Sequence, residues 1–277
     1  MKFLQDIDTR PLLLVPVLAL LAWPLIGSGS TWLTLTVAGL AMGMIIFIMA
    51  SGLTLVFGLM DVLNFGHGLF IALGAFVATS VLGAMGDWTG SGEWWRNMVA
   101  VLPAMLIAMA VAAAVGLAFE RFIVRPVYGQ HLKQILITMG GMIIGEELIK
   151  VIWGPQQIAL PLPDAMRGAV LVGDAAIEKY RLLAVAVGLA VFALQMWVLG
   201  RTKIGLLIRA GVQDREMVES LGYRIRRLFV GVFVAGSALA GISIDIVDPT
   251  ASLLVSVVFG AFTLIASLLI SRTSKKD

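Results

Sequence analysis

The chain has 277 residues, 60% of them apolar and only 13% charged, with a formal net charge of +3 and no cysteine. Soluble domains carry about 45–50% apolar and about 25% charged residues, so an ordinary water-soluble enzyme is excluded. Without cysteine there is no disulfide framework, no thiolate metal site and no cysteine nucleophile, and the small positive charge is no argument for nucleic-acid binding.

A chain of this kind is counted in membrane spans of about 20 residues. Taken in order, the apolar runs are Pro11 to Gly27, Trp32 to about Phe57, Leu69 to Met85 and Met98 to Phe119. Ile135 to Trp153, Leu182 to Leu199, Leu228 to Ile244 and Ala251 to Ile270 follow. The first and third are near the lower length limit for a span. Lipid leaves an isolated segment only helix to satisfy its backbone, so an all-α polytopic bundle of about eight spans is expected. It forms one transmembrane domain over 1–277. The charges up to Arg10 and the apolar run behind them also resemble a signal peptide. Ala22, Trp23 and Pro24 make a poor small-residue cleavage site, so a retained first helix is expected.

The cations give this bundle a direction. With the N-terminus in the cytoplasm, fifteen of the twenty Lys and Arg residues fall inside and five outside: Arg96, Lys150, Arg167, Lys179 and Arg181. That asymmetry is the positive-inside rule, and it places both termini in the cytoplasm. Trp32, Trp88, Trp94, Trp95 and Trp153 fall near external span ends, the layer that tryptophan prefers. In the fourth span Ala104, Ala108, Ala112 and Gly116 recur every four residues, a small-residue stripe that lets another helix approach closely.

Three regions depart from plain lipid-facing helix. Ser51 to Gly74 concentrates Asp61, Asn64 and His67 among Gly52, Gly58, Gly66, Gly68 and Gly74. One reading is a short cytoplasmic turn in which Asp61 and Asn64 cap the following helix. The other is a broken or re-entrant segment near residues 58–68 lining a solute path, with irregular backbone tolerated because protein or water covers it. The loop 200–227 is basic. Its middle, Ile204 to Gly222, has the apolar spacing of one short amphipathic helix: a solvated loop, or a helix that docks on a cytoplasmic partner. The third region is acidic: Glu146 and Glu147 in the fifth span, then Asp245 and Asp248 in a wet turn. Lys150 lies four residues after Glu146, and an i,i+4 ion pair accounts for that cluster.

No phosphate-binding G-x-x-x-x-G-K-[ST] loop, H-E-x-x-H zinc motif or G-x-S-x-G elbow occurs. The chain is therefore not expected to hydrolyse ATP or to hold a metal or cofactor.

The segment from Gly52 to Ala78, GLTLVFGLMDVLNFGHGLFIALGAFVA, resembles the signature of permease subunits of branched-chain amino-acid ABC importers. ERFIVRP at Glu120 to Pro126, ITMG at Ile137 to Gly140 and the stretch from Lys203 to Gly241 are similar to that family as well. Urea and short-amide permeases share the pattern. The resemblance implies a translocation path near Asp61, Asn64, Gly66, His67 and Gly68. It also implies a coupling helix for an ATPase. Glu216 and Gly222 keep that helix's spacing with Met217 and Val218 in place of two alanines, and Arg209, Ala210, Asp214 and Gly222 keep the wider pattern. The implied partners are a homologous permease subunit, two cytoplasmic ATP-binding subunits, a periplasmic solute-binding protein and membrane lipid, in a bacterial inner membrane. After Gly241 the segment 242–277 lacks the family's glycine-rich stretch and final arrangement, and only one more span fits.

Overall fold

The computed structural model describes residues 10–156, 158 and 162–242. Its helices are α1 (Arg10–Ile26), α2 (Gly29–Met60), α3 (His67–Ala84), the single turn α4 (Gly86–Thr89), α5 (Trp94–Phe119) and α6 (His131–Trp153). They continue with α7 (Lys179–Arg201), α8 (Lys203–Gln213), α9 (Arg215–Ser220) and α10 (Ile225–Ile242). The expected runs through Ile244 each have a helix, displaced by a few residues at their ends. The eighth run, the segment 243–277 and the turn at Asp245 and Asp248 lie outside the described residues.

Five of these helices (α2, α3, α5, α7 and α10) are long and apolar enough to cross a membrane. α1 is short for a span, and α6, although 23 residues long, carries Lys133, Glu146, Glu147 and Lys150. The expected Glu146–Lys150 pair is replaced by Glu147–Lys150 at 2.6 Å. At three residues' separation Glu147 lies nearer to Lys150 along the helix axis than Glu146 does. The pair is exposed, which makes it worth little in water.

The small-residue stripe of α5 explains how the bundle closes. Ala104, Ala108, Ala112 and Gly116 are all buried. A Cβ added to Gly241 of α10 would lie 2.7 Å from the Ala112 Cβ and 2.9 Å from the Ala108 carbonyl. α10 also meets α2 and α3 at glycine. A Cβ on Gly52 would stand 2.5 Å from the Gly236 carbonyl oxygen, and one on Gly74 2.5 Å from the Gly241 Cα. Backbone thus lies against backbone at two crossings. Beside them Phe70, Phe119 and Phe233, one each from α3, α5 and α10, meet with centroids 5.5 to 6.4 Å apart.

Hydrogen bonds group the helix ends. At the tryptophan-rich end the Trp153 indole donates to Ser80 Oγ at 2.7 Å, tying the end of α6 to that of α3. Asn97, buried at the start of α5, donates to the carbonyls of Trp88 and Ser91 and accepts from the Ala165 amide. The same end holds a feature absent from the all-helical expectation. β1 (Ala169–Val172) and β2 (Ala175–Glu178) form an antiparallel hairpin, with Val172 opposite Ala175, and β2 lies beside the start of α2 through Thr34 and the Ala176 carbonyl. Gly173 at φ +61 supplies the left-handed turn.

Valine in place of Gly52 or Gly74 is expected to lower the thermal midpoint of the detergent-solubilised protein, the overpacking costing about 1–3 kcal/mol. Gly43→Val, where nothing lies within 4 Å, should leave it unchanged. Equal midpoints for all three would refute the close crossings.

Candidate functional site: a half-buried irregular segment and a two-helix elbow

α2 runs for 32 residues, about 48 Å, well beyond the about 30 Å of a hydrocarbon core. It ends at Asp61, a left-handed C-cap at φ +53 whose amide donates to the Phe57 carbonyl. Aspartate is among the few residues that adopt this conformation at modest cost. Its side chain is exposed and faces His131 across 3.6 Å.

From there residues 61–66 are not helical, and they run back along α2. His67, the first residue of α3, donates from Nε2 to the Met49 carbonyl at 3.1 Å. Met49 lies eleven residues before the end of α2, about 16 Å along its axis. The segment therefore doubles back before α3 starts.

Such backbone persists only where its polar groups find partners, and α6 supplies them. The Leu63 amide donates to Gln134 Oε1 at 3.4 Å and the Phe65 amide to Thr138 Oγ1 at 3.2 Å. Gln134 and Thr138, one turn apart on α6, are buried. Thr138 donates in turn to the Gln134 carbonyl, and Gln134 Nε2 to the Val127 carbonyl. Neither stood out in the sequence, although two polar residues four apart on an apolar helix are a signal that its inner face meets backbone.

The capping expectation needs correction. Asp61 closes α2 and does not open α3. Asn64 Oδ1 accepts from the Gly66 amide at 3.0 Å, an Asx turn inside the loop, and Gly66 is the N-cap with no side-chain bond. Gly66 is needed for space, since a Cβ there would stand 2.6 Å from the Phe119 ring. Gly68 has open space. Asn64 Nδ2 and His67 Nδ1 are buried with no partner among the described residues. A donor and an acceptor thus stay unsatisfied three residues apart, at a cost of about 1–3 kcal/mol for each such group.

Behind the segment α5 ends in a π turn, Glu120–Val124, and a 3-10 turn, Arg125–Val127. Glu120 is buried and accepts the Tyr128 hydroxyl at 2.6 Å. Single π turns of this kind are rare overall and frequent at functional sites.

The second group lies on the loop after α7. The single helix expected over Ile204 to Gly222 is two, α8 and α9, broken at Asp214. Asp214 is extended and caps α9, its Oδ1 accepting from the Met217 amide at 2.8 Å, while its own amide closes α8 on the Ala210 carbonyl. Aspartate at an N-cap is favoured enough to interrupt a helix pattern. Thr202 caps α8 in the same way. Arg209 turns back and donates to the Leu199 carbonyl at 2.6 Å, at the negative end of α7. Gly222, at φ +87, ends α9 with the Tyr223 amide bonded to the Val218 carbonyl. Glu216 is exposed, as are the apolar Leu206, Val212, Met217 and Leu221. Asp61 and Asp214 therefore sit on different elements, and the two groups of candidate residues form two separate features.

Close-crossing helices, a half-buried non-helical segment between two of them and an amphipathic helix pair at one end define a multi-pass helical membrane protein. The family model described as "Branched-chain amino acid transport system / permease component" matches residues 35–269. The chain belongs to that family. Among relatives, it is 28% identical over 212 residues to the high-affinity branched-chain amino acid transport system permease protein LivH of Escherichia coli. It is 26% identical over 212 residues to LivH of Salmonella typhimurium. These alignments cover 74% of this chain and 67% of each relative. The permease protein BraD of Pseudomonas aeruginosa is 27% identical over 217 residues, covering 75% and 67%. No solved structure matches. The match to residue 269 passes Gly241 and enters the segment whose sequence lacks the family's glycine-rich stretch.

Thr138→Val removes the acceptor of the part-buried Phe65 amide and leaves that group without its protein partner, at about 1 kcal/mol. Hydrogen exchange at Phe65 should then accelerate roughly fivefold. Unchanged exchange would mean that α6 does not hold the segment.

Proposed function

We propose that this chain is the membrane-spanning permease subunit of an ATP-driven importer of branched-chain amino acids. The observation that carries the reading is family membership over residues 35–269, together with relatives named as branched-chain amino acid permeases. In this reading the chain lies in a bacterial inner membrane with the α8–α9 end in the cytoplasm, as its Arg and Lys distribution favours. It pairs with a homologous permease subunit and carries no hydrolytic chemistry. Of two ATP-binding subunits one docks on α8 and α9 of this chain, and a periplasmic solute-binding protein delivers solute to the tryptophan-rich end.

The segment 61–66 with Asn64, Gly66, His67 and Gly68 is the element that rearranges along the solute path, with Asp61 at its mouth. Its unsatisfied Asn64 Nδ2 and His67 Nδ1 give it a reason to move: any arrangement that partners them recovers part of the cost of leaving them buried. Asp214, Arg209, Ala210, Glu216 and Gly222 shape the elbow that receives the ATPase.

Reconstitution with the partner subunits, binding protein and ATP should give ATP-dependent uptake of leucine and valine and little of urea. Uptake of urea in preference to leucine would assign the chain to the short-amide branch, and uptake without ATP would make it a passive path. Asp214→Ala should lower leucine uptake at least fivefold and weaken co-purification of the ATP-binding subunit. Asn64→Ala with His67→Ala should lower uptake and leave co-purification intact. Full activity in that double variant would reduce residues 61–68 to a structural turn.

A further inference from the structure

Where α9 turns into α10 the surface opens into a pocket of about 360 Å³ lined by Leu207, Val218, Tyr223, Arg224, Ile225, Arg227 and Leu228. Its chemistry is two-sided. Leu207, Val218, Ile225 and Leu228 make an apolar wall, and Val218 and Ile225 are almost wholly buried in it. Arg224 and Arg227 stand on the rim, both exposed. Neither guanidinium has a hydrogen-bond or ion-pair partner among the described residues. Tyr223, half exposed, adds a hydroxyl beside them.

Two unpaired cations one helical turn apart do not stabilise the fold. They complement something anionic that also has an apolar part. Their height in the molecule says which anion. Arg224 and Arg227 bracket the first turn of α10, and the apolar run of that spanning helix begins one residue later, at Leu228. The rim therefore sits at the boundary between hydrocarbon and headgroups. The cytoplasmic leaflet supplies anionic headgroups at that level, and basic pockets beside spanning helices hold them. Arginine suits the role because its planar fork bonds two phosphate oxygens at once. The N-terminus of the 18-residue α10 adds its positive dipole end at the same place.

We infer that this pocket binds an anionic phospholipid of the inner leaflet, its phosphate held between Arg224 and Arg227 and its glycerol and upper acyl chain against Leu207 and Leu228. The inference rests on the orientation given under the proposed function, with α8 and α9 at the cytoplasmic face. It adds a contact that needs neither ATPase nor solute. Because α8, α9 and α10 all contribute to the wall, a bound lipid fastens the elbow to the spanning bundle.

The test uses the purified full-length chain in nanodiscs, followed by native mass spectrometry of retained lipid. Discs contain phosphatidylglycerol and phosphatidylcholine in equal amounts. The wild-type protein should retain phosphatidylglycerol at least tenfold over phosphatidylcholine. Arg224→Gln with Arg227→Gln should abolish that preference, and Arg224→Lys with Arg227→Lys should keep part of it. Arg201→Gln with Lys203→Gln removes two exposed cations of the same face outside the pocket and should keep it in full. Loss of preference in the Arg201, Lys203 variant to the same degree would mean bulk charge and overturn the site. So would displacement of the lipid by millimolar inorganic phosphate, which would mark a free-anion site. Photo-crosslinking from Tyr223 in the assembled complex should capture lipid; exclusive capture of the ATP-binding subunit would overturn the proposal as well. Leucine uptake is measured separately on the reconstituted complex, so failure of the lipid site and failure of the permease reading give different results.

Discussion

The structure depends on how closely α10 can approach three other helices. In lipid the apolar surfaces of helices gain nothing by leaving water, so association rests on packing and on how near two backbones come. Gly52 against Gly236, Gly74 against Gly241 and the α5 stripe against Ser237 and Gly241 bring α10 into contact with α2, α5 and α3 at once. The buried Phe70, Phe119 and Phe233 fill the space that those approaches leave. A side chain at either glycine crossing would push α10 outward and open the phenylalanine cluster with it.

That arrangement also sets the conditions for the irregular segment. His67 reaches the Met49 carbonyl beside Gly52, where α10 lies against α2. α3 therefore starts alongside α2 well before the point where α2 ends, and residues 61–66 must bridge the difference. The bridge is held by Gln134 and Thr138, and Phe119 packs against it at Gly66. It is well fixed in its backbone and incompletely satisfied in its side chains. An element that moves between two states needs that combination: a defined geometry in each, and a free-energy difference small enough to cross.

Much of this was legible in the sequence. Composition gave the membrane class, the four-residue stripe from Ala104 to Gly116 gave the face on which α5 would be approached, and the tryptophans marked one end. The glycines and polar residues from Ser51 to Gly74 marked the segment that departs from helix. What stayed hidden was pairing between distant residues. Nothing near Thr138 says that its hydroxyl serves the Phe65 amide, and nothing near Glu147 says that it outcompetes Glu146 for Lys150. Asp214 belongs to the coupling pattern, but its power to stop one helix and start another lies in its cap geometry, which apolar spacing does not report. The β hairpin escaped because four-residue strands are too short for alternation to stand out from a loop.

The place of α10 along the chain has a consequence for biogenesis. Gly236 and Gly241 lie more than half the chain after Gly52 and Gly74, so those glycine grooves emerge from the ribosome long before anything can fill them. Until α10 is made, α2 and α3 wait in the bilayer with lipid in the grooves and with the Met49 carbonyl and His67 only partly enclosed. The bundle can close only late, and closure must displace lipid from narrow grooves. Quality-control machinery that samples unsatisfied polar groups within the membrane would find its target in that interval, and a defect in α10 would be felt first as failed assembly of α2 with α3.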